Sequence, residues 1–416
     1  MAKSHYMERV VDAQLRRALG GAGAVVLEGA KACGKTTTAM QVAASSVRLD
    51  RDTALRQAGL AEPNVLLSGP TPRLIDEWQL VKDVWNAVRA EVDDRSQPGQ
   101  FILTGSATPA DDATRHSGAM RFLRIPMRPM SLTESGESDH ATSLAGLWSG
   151  QPQAPSADNG DLGLIAQAAC RGGWPGTLGI DPETAQDLNQ SYLRTVAAAD
   201  IVMVDGIRRD PLKVLALLQA LGRNTATYVS NRRLQTDSAA FGQPIDANTI
   251  PVYLDALARL WVLAPQPAWG GHLRSAAQAR QAAKRHLADP SLAAAAMGAG
   301  PADLLADREA FGQVFETLAF RDLSVYAQAS GMEVRAFQDT KGNEIDAVLV
   351  KGTQWAGLEV KLSPSPDALD GAAGKLLAIA GRMTSQPKFL GIITAMGPSY
   401  TRPDGVHVVP ITHLGP

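Results

Sequence analysis

Residues 24–36 read Ala24-Val-Val-Leu-Glu28-Gly29-Ala-Lys-Ala-Cys-Gly34-Lys35-Thr36, and this stretch decides the fold. The mostly apolar run 24–28, after a glycine-rich break at 20–23, reads as a short buried strand. Gly29 and Gly34 bracket a loop that ends on Lys35-Thr36, and the run 36–44 reads as a helix. Strand, glycine loop and helix in that order form the phosphate-loop (P-loop) pattern. The chemistry accounts for the spacing. Glycines at 29 and 34 permit a tight turn that aims several main-chain N–H groups into one concavity, and the helix start adds the positive end of its dipole. Lys35 would reach the β- and γ-phosphates of ATP, the Thr36 hydroxyl would coordinate Mg2+, and Thr37 follows in the same first turn.

Two further apolar runs end in polar residues: Arg73-Leu-Ile-Asp76-Glu77 and Gln100-Phe-Ile-Leu-Thr104-Gly105-Ser106. An acidic pair at a strand end is where a metal-bound nucleotide and its attacking water need carboxylates. Asp76 would hold Mg2+ through water, and Glu77 would orient or deprotonate the attacking water. At the tip of the neighbouring strand, Thr104 and Ser106 are both candidates to sense the γ-phosphate; an ordinary strand-to-loop turn has the same look. Arg115, Arg121, Arg124 and Arg128 follow. Arg121 is the candidate arginine finger, acting across a subunit interface and so requiring a homo-oligomer; a set of surface arginines is the plainer reading. Cys33 inside the loop is either a small filler or a redox-sensitive thiolate favoured by the helix start and Lys35.

Short apolar strands separated by helical stretches imply an α/β fold with a parallel sheet covered on both faces. The chain has 416 residues, enough for two or three domains, and its 45% apolar and 20% charged content is that of a globular protein. The formal net charge of −2 provides no global attraction to nucleic acid or to an anionic membrane, so any nucleic-acid surface is a local patch. No stretch approaches a membrane span, residues 1–9 lack an apolar signal core, and the two cysteines, Cys33 and Cys170, are too few for a disulfide framework or a zinc site. The expectation is a cytoplasmic protein with no membrane contact. Polar, Gly-, Pro- and Ser-rich residues 149–163 suggest a linker, giving expected domains at 1–150, 151–275 and 276–416.

The strings at 27–37, 75–79 (Ile-Asp-Glu-Trp-Gln), 102–106 (Ile-Leu-Thr-Gly-Ser), 128–134 (Arg-Pro-Met-Ser-Leu-Thr-Glu) and 172–176 (Gly-Gly-Trp-Pro-Gly), preceded by Tyr6, Arg9 and Asp12, come in a familiar order. The chain resembles a widespread prokaryotic family of AAA-type ATPases, archaeal-like, with a C-terminal domain of unknown function. The resemblance runs from about Tyr6 to Lys361. It departs at Lys31, where family members often carry arginine, a change that keeps the charge. It implies an ATP-binding AAA-type P-loop domain using Lys35, Thr36, Asp76 and Glu77 in the roles given, and it supports Arg121 less directly.

After the linker the pattern turns helical. Helices at 211–221, near 230–236 and at 249–260, then a hairpin starting at Trp261, read as a winged helix. Arg208, Arg209, Lys213, Arg223, Arg232 and Arg233 would allow it to grip DNA phosphates, or it serves protein contacts. The last part mixes a helix at 307–327 with strands at 334–337, 344–350, 355–360 and 389–394. Asp346 lies on one of these strands and Glu359-Val-Lys361 on the next, where alternation sends Glu359 and Lys361 to one face. Glu316, on the preceding helix, would join them. Three carboxylates and a lysine are what a metal-dependent phosphodiesterase needs: Glu316, Asp346 and Glu359 to hold metal, Glu359 and Lys361 to take part in the chemistry. The arrangement is similar to the PD-(D/E)xK nucleases, and the family's C-terminal domain is placed near that restriction-endonuclease-like fold; an inactive binding module or a surface salt bridge remains the alternative.

Overall fold

The computed structural model describes residues 6–106, 118–153, 155–156, 160–271 and 282–416. The chain divides into two compact units. One comprises Met1–Pro129, Ala199–Arg209 and Asp255–Val262; the other comprises Met130–Ala198, Asp210–Leu254 and Leu263–Pro416. The stretch 151–275 contributes to both.

The first unit runs α1 (Val11–Leu19), β1 (Ala24–Glu28), α2 (Lys35–Met40), β2 (Ser45–Arg48), α3 (Thr53–Ala61), β3 (Arg73–Asp76), α4 (Val84–Arg95), β4 (Phe101–Gly105) and β5 (Phe122–Pro126). All five strands are parallel, in the order β2-β3-β4-β1-β5. The central strands are buried almost throughout, which is why they read as unbroken apolar runs and not as alternating ones. Below the sheet, Trp78 and Trp85 lie 5.1 Å apart, and Trp85 stacks on Phe122 at 4.2 Å. Each such aromatic pair contributes about 0.5–1.5 kcal/mol beyond its buried area. The β1 strand sits between β4 and β5, so the chain leaves it across the sheet to the far edge at β2. Ligands of open parallel sheets bind at the carboxyl ends of strands where the order reverses in this way.

The helix expected at 36–44 ends at Met40. Three consecutive threonines, Thr36 to Thr38, are poor helix formers, and a bond from Ala44 N–H to the Pro72 carbonyl at 2.8 Å draws the chain into β2.

The remaining elements are β6 (Thr142–Ser143), α5 (Leu144–Trp148), α6 (Leu162–Arg171), α7 (Pro182–Thr195), α8 (Val202–Asp205), α9 (Pro211–Arg223), α10 (Asn231–Ala240), α11 (Thr249–Arg259), β7 (Leu263–Gln266), β8 (Lys284–Leu287), α12 (Pro290–Met297), α13 (Pro301–Ala306), α14 (Arg308–Ala329), β9 (Glu333–Gln338), β10 (Glu344–Lys351), β11 (Gln354–Lys361), α15 (Pro366–Ala380), β12 (Leu390–Thr394), β13 (Tyr400–Thr401), β14 (His407–Pro410) and β15 (Leu414–Gly415). Of these, α8 belongs to the first unit and α11 is divided between the two. Where the sequence suggested a hairpin from Trp261, β7 begins at Leu263 and pairs antiparallel with β8. Pro265 is tolerated there because a two-stranded ribbon leaves one edge of β7 without ladder bonds to donate.

The second unit is built on a six-stranded sheet in the order β13-β14-β12-β11-β10-β9. The strands β9, β10 and β11 form an antiparallel meander. From β11 the chain crosses through α15 to β12, which pairs with β11 in parallel, as a helical crossover requires. A core of Trp269, Ile345, Val348, Trp355, Leu376 and Ile392 lies against this sheet. The register slips between Ile345 and Val348, a bulge that contains Asp346. Among the described residues, no helix is long and apolar enough to cross a membrane.

Candidate functional site

The loop between β1 and α2 is shaped by its two glycines. A β-carbon on Gly29 would lie 2.0 Å from the Met127 carbonyl oxygen, so only glycine passes there. Gly34 adopts φ 105°, a conformation glycine takes without strain. Cys33 is fully buried, with its Sγ 3.5 Å from the Met127 carbonyl, in keeping with a filler role. Lys35 Nζ donates to the carbonyls of Gly29 and Ala30, both at 2.8 Å, and so folds over the loop. The first N–H groups of α2 have no partner inside their own helix by construction.

Residues upstream brace this loop. The Arg9 guanidinium donates to the Cys33 carbonyl at 2.8 Å and to the Arg128 carbonyl at 2.9 Å. Arg9 N–H donates to Asp12, whose other oxygen accepts from the Tyr6 hydroxyl at 2.7 Å. The Tyr6 oxygen also lies 3.0 Å from Thr38 Oγ1 in α2. Burial pushes the Tyr6 phenol above its ordinary pKa. Sequence reading quoted these three residues without a role; the geometry makes them the clamp on the loop.

Asp76 is the hub. The Thr36 hydroxyl donates to Asp76 Oδ1 at 2.8 Å, and the Thr104 hydroxyl donates to the same oxygen. The sheet arranges this: Thr104 stands beside Asp76 in one register and beside Leu27 in the other. Arg48, at the end of β2, is ion-paired with Asp76 Oδ2 at 3.3 Å. Arg48 was missed from sequence, since nothing announced β2 as a strand. Asp76 is 1% exposed, and a carboxylate so buried needs these partners. Hydroxyl and carboxylate oxygens are the donor type Mg2+ prefers, so the residues present fit that ion. Glu77 follows at φ 56°, where the chain turns out of the strand. Its Oε2 accepts from Ser106 Oγ at 3.0 Å and from the Gln79 amide. Thr104 and Ser106, alternatives on sequence, thus serve different carboxylates. Thr37 is exposed, and its carbonyl accepts from the Gln41 amide at 3.0 Å.

An arginine finger acting from a neighbouring subunit need not lie beside its own chain's loop, and Arg121 does not. Arg115 lies outside the described residues. Arg121 precedes β5, at the end of the sheet where Ala24 N–H meets its carbonyl, opposite the phosphate loop; it is exposed and paired with Asp93 at 2.8 Å. Arg124 bonds Glu28 and covers the Trp85 ring at 4.9 Å.

In the second unit, Glu316, Asp346, Glu359 and Lys361 do come together, with two more lysines. Lys284 Nζ bonds Glu316 and stands 3.4 Å from Asp346 Oδ1. Lys361 Nζ is 3.0 Å from Glu359 Oε2 and 3.8 Å from Asp346 Oδ2, and Lys375 Nζ is 3.0 Å from Glu359 Oε1. Asp346 Oδ2 also accepts from Val360 N–H at 2.9 Å. Burial, with Asp346 nearby, drives Glu316 up to about 8. Burial works against the Lys284 charge, yet Glu316 and Asp346 outweigh it and hold the ammonium above the ordinary lysine value. Among the described residues, no three His, Cys, Asp or Glu side chains are disposed to hold a metal ion. The metal expected on Glu316, Asp346 and Glu359 therefore meets a cluster already arranged around lysines. Neither Lys284 nor Lys375 was singled out from sequence: Lys284 lies 62 positions before Asp346, and Lys375 sits on α15, a helix the sequence analysis did not read.

This strand order, with a glycine loop at its reversal point and an acidic residue on β3, defines a P-loop nucleotide-binding domain. Residues 22–136 match the AAA domain family, so this stretch of the chain is an AAA-type P-loop ATPase domain. Residues 163–303 match a domain of unknown function (DUF8612), and residues 311–414 match another (DUF4143). Uncharacterized protein Rv2008c of Mycobacterium tuberculosis and uncharacterized protein Mb2031c of Mycobacterium bovis are each 36% identical over 104 residues, 24% of this chain. The match spans 24% of the length of those relatives. Among solved structures, the Walker-type ATPase PABY2304 of Pyrococcus abyssi aligns over 71% of this chain and 97% of its own, at 12% identity and a TM-score of 0.43. Protein VC1899 of Vibrio cholerae aligns over 93% and 94%, at 12% identity and a TM-score of 0.19. TM-scores this low do not speak for a shared fold.

Proposed function

We propose that the chain is an ATP-hydrolysing switch that uses Mg2+ and couples the state of its nucleotide to C-terminal modules that contact duplex DNA. The convergence of Thr36 and Thr104 on one oxygen of Asp76 carries this reading. ATP would draw Lys35 from the Gly29 and Ala30 carbonyls onto its phosphates, since a charge-assisted bond to phosphate is stronger than one to a neutral carbonyl. Thr36 and Asp76 would hold Mg2+, which supplies charge neutralisation on the phosphates. Glu77 would take the proton of the attacking water, and Ser106 and Gln79 hold its carboxylate until then. Thr104, bonded to Asp76 from the strand next to the loop, would report the loss of the γ-phosphate.

Three helices, α9 to α11, followed by the antiparallel pair β7-β8, give the element order of a winged helix. The α14-β9-β10-β11-α15-β12 succession, with Asp346 in a bulge beside Glu359 and Lys361, supports a PD-(D/E)xK-like module. The third helix, α11, carries Arg259 as its one basic residue, ion-paired with Asp255 at 3.6 Å, so base readout by that helix is disfavoured. Contact through phosphates, with Arg232 exposed on α10, fits better. The bulge and the Glu-x-Lys pair also motivate a second reading, an ATP-gated nuclease. ATP turnover measured with and without duplex DNA, at several salt concentrations, tests the proposal. Stimulation that fades steeply with salt supports a DNA partner. Turnover indifferent to DNA points to a protein-binding regulator, and absence of turnover removes the switch altogether.

A further inference from the structure

The carboxylate cluster of the second unit does not fit the divalent metal that its strand pattern implies. Its oxygens are of the right kind. Each carboxylate, however, already faces an ammonium: Lys284 on Glu316 and Asp346, Lys361 and Lys375 on Glu359. With every group ionised, the charges of these six side chains sum to zero. A divalent ion beside Asp346 would meet a like charge at Lys284. Unit charges about 4 Å apart in a partly buried site interact by several kcal/mol, more for a divalent ion.

Lys284 is not a surface lysine that has drifted inward. It is 2% exposed, paired in the β8 ladder opposite Gln266, with its ammonium 5.8 Å from the centre of the Tyr228 ring. A buried ammonium persists only where opposite charges offset its lost hydration. Gln266, its ladder partner, donates to the Asp346 carbonyl at 2.8 Å and so ties the β7-β8 ribbon to the strand that carries Asp346.

We infer that Lys284 is the resident cation of the Glu316–Asp346 pair, so that this module engages its partner without a divalent metal and without cleaving it. The inference rests on the nuclease-like reading of the module. It assigns to β7-β8 a second role, that of carrying a built-in substitute for the metal.

Mn2+ uptake by the nucleotide-free full chain, read from the free-ion signal in electron paramagnetic resonance, tests this. The wild-type chain should take up no more Mn2+ than Asp346→Asn. Lys284→Met should gain a site at least ~100-fold tighter than any in the wild type, since a like charge has gone, and Asp346→Asn in that background should abolish it. Wild-type uptake that falls in Asp346→Asn overturns the inference, and this arm decides even if Lys284→Met fails to fold. A folded Lys284→Met chain, checked by far-ultraviolet circular dichroism, that gains no site also overturns it. Duplex DNA binding by the wild type is scored separately: its absence sinks the DNA partner and leaves the metal result standing.

Discussion

Arg9 holds Cys33: the guanidinium donates to the loop carbonyl at 2.8 Å, while its other terminal nitrogen donates to the Arg128 carbonyl at 2.9 Å. One side chain before α1 therefore fixes the phosphate loop to the exit of β5. Arg9→Ala leaves these carbonyls without that donor, at a cost of about 1–3 kcal/mol in folding stability. It should also weaken Mg-ATP binding, since a loop that must be ordered by its ligand binds less tightly. Urea denaturation and calorimetric titration with Mg-ATP check the two effects. Unaltered ATP affinity would reduce Arg9 to a purely structural strut.

Thr104→Val keeps the side-chain volume and removes one hydroxyl from Asp76, which retains Thr36 and Arg48. The expected outcome is a modest loss of stability, about 1 kcal/mol, with turnover reduced more than Mg-ATP affinity. Steady-state kcat compared with the calorimetric Kd shows the split. Equal losses in both would mean that Thr104 serves binding and not the step after it.

Glu77→Gln preserves shape and hydrogen bonding but cannot accept a proton. Mg-ATP should bind within a few-fold of wild type while kcat falls by roughly 10²–10⁴, the usual contribution of a positioned general base. Wild-type turnover in this variant would remove Glu77 from the chemistry.

His286 gives a pH signature to the second unit. It is 1% exposed, its ring nitrogens face Thr317 and Gln266, and burial together with the Lys284 charge holds its pKa well below 6.5. A depressed folded pKa means that the unfolded chain takes up the proton first as pH falls. Stability contributed by neutral His286 is therefore complete above 6.5 and lost below it, by up to about 1.4 kcal/mol per pH unit. Glu316 works in the opposite sense, because its raised pKa makes the folded chain hold the extra proton between 4.5 and about 8. The test is thus a difference: between pH 7.5 and 5.5, wild type should lose more stability relative to His286→Gln than it loses above pH 7.5. Parallel curves would contradict the assignment.

Much of this was legible in the sequence, for local reasons. The P-loop, β3 and β4 announced themselves because strands buried on both faces read as continuous apolar runs ending in polar residues. The helix now seen as α14 and strands β9 to β12 were anticipated within a few residues at each end. What escaped was long-range. Arg48 reaches Asp76 through β2, a strand of two serines, a valine and an arginine with no apolar signature. Arg9 and Cys33 are 24 positions apart, and Lys284 meets Asp346 across 62. Strand direction puts Arg121, read as a finger acting across a subunit interface, at the end of the sheet away from its own loop and beside Asp93. Motif spacing carries no information on which end of a strand a residue occupies until the strand itself is known.

The central claim is that this loop binds a magnesium nucleotide through Lys35. Isothermal titration of Mg-ATP into the full chain and into Lys35→Ala tests it most directly. Saturable binding by the wild type, lost or weakened at least ~10-fold in Lys35→Ala where a charge-assisted contact is missing, is the expected result. A folded wild-type chain that binds no nucleotide, or a Lys35→Ala chain that binds it as tightly, would contradict the account.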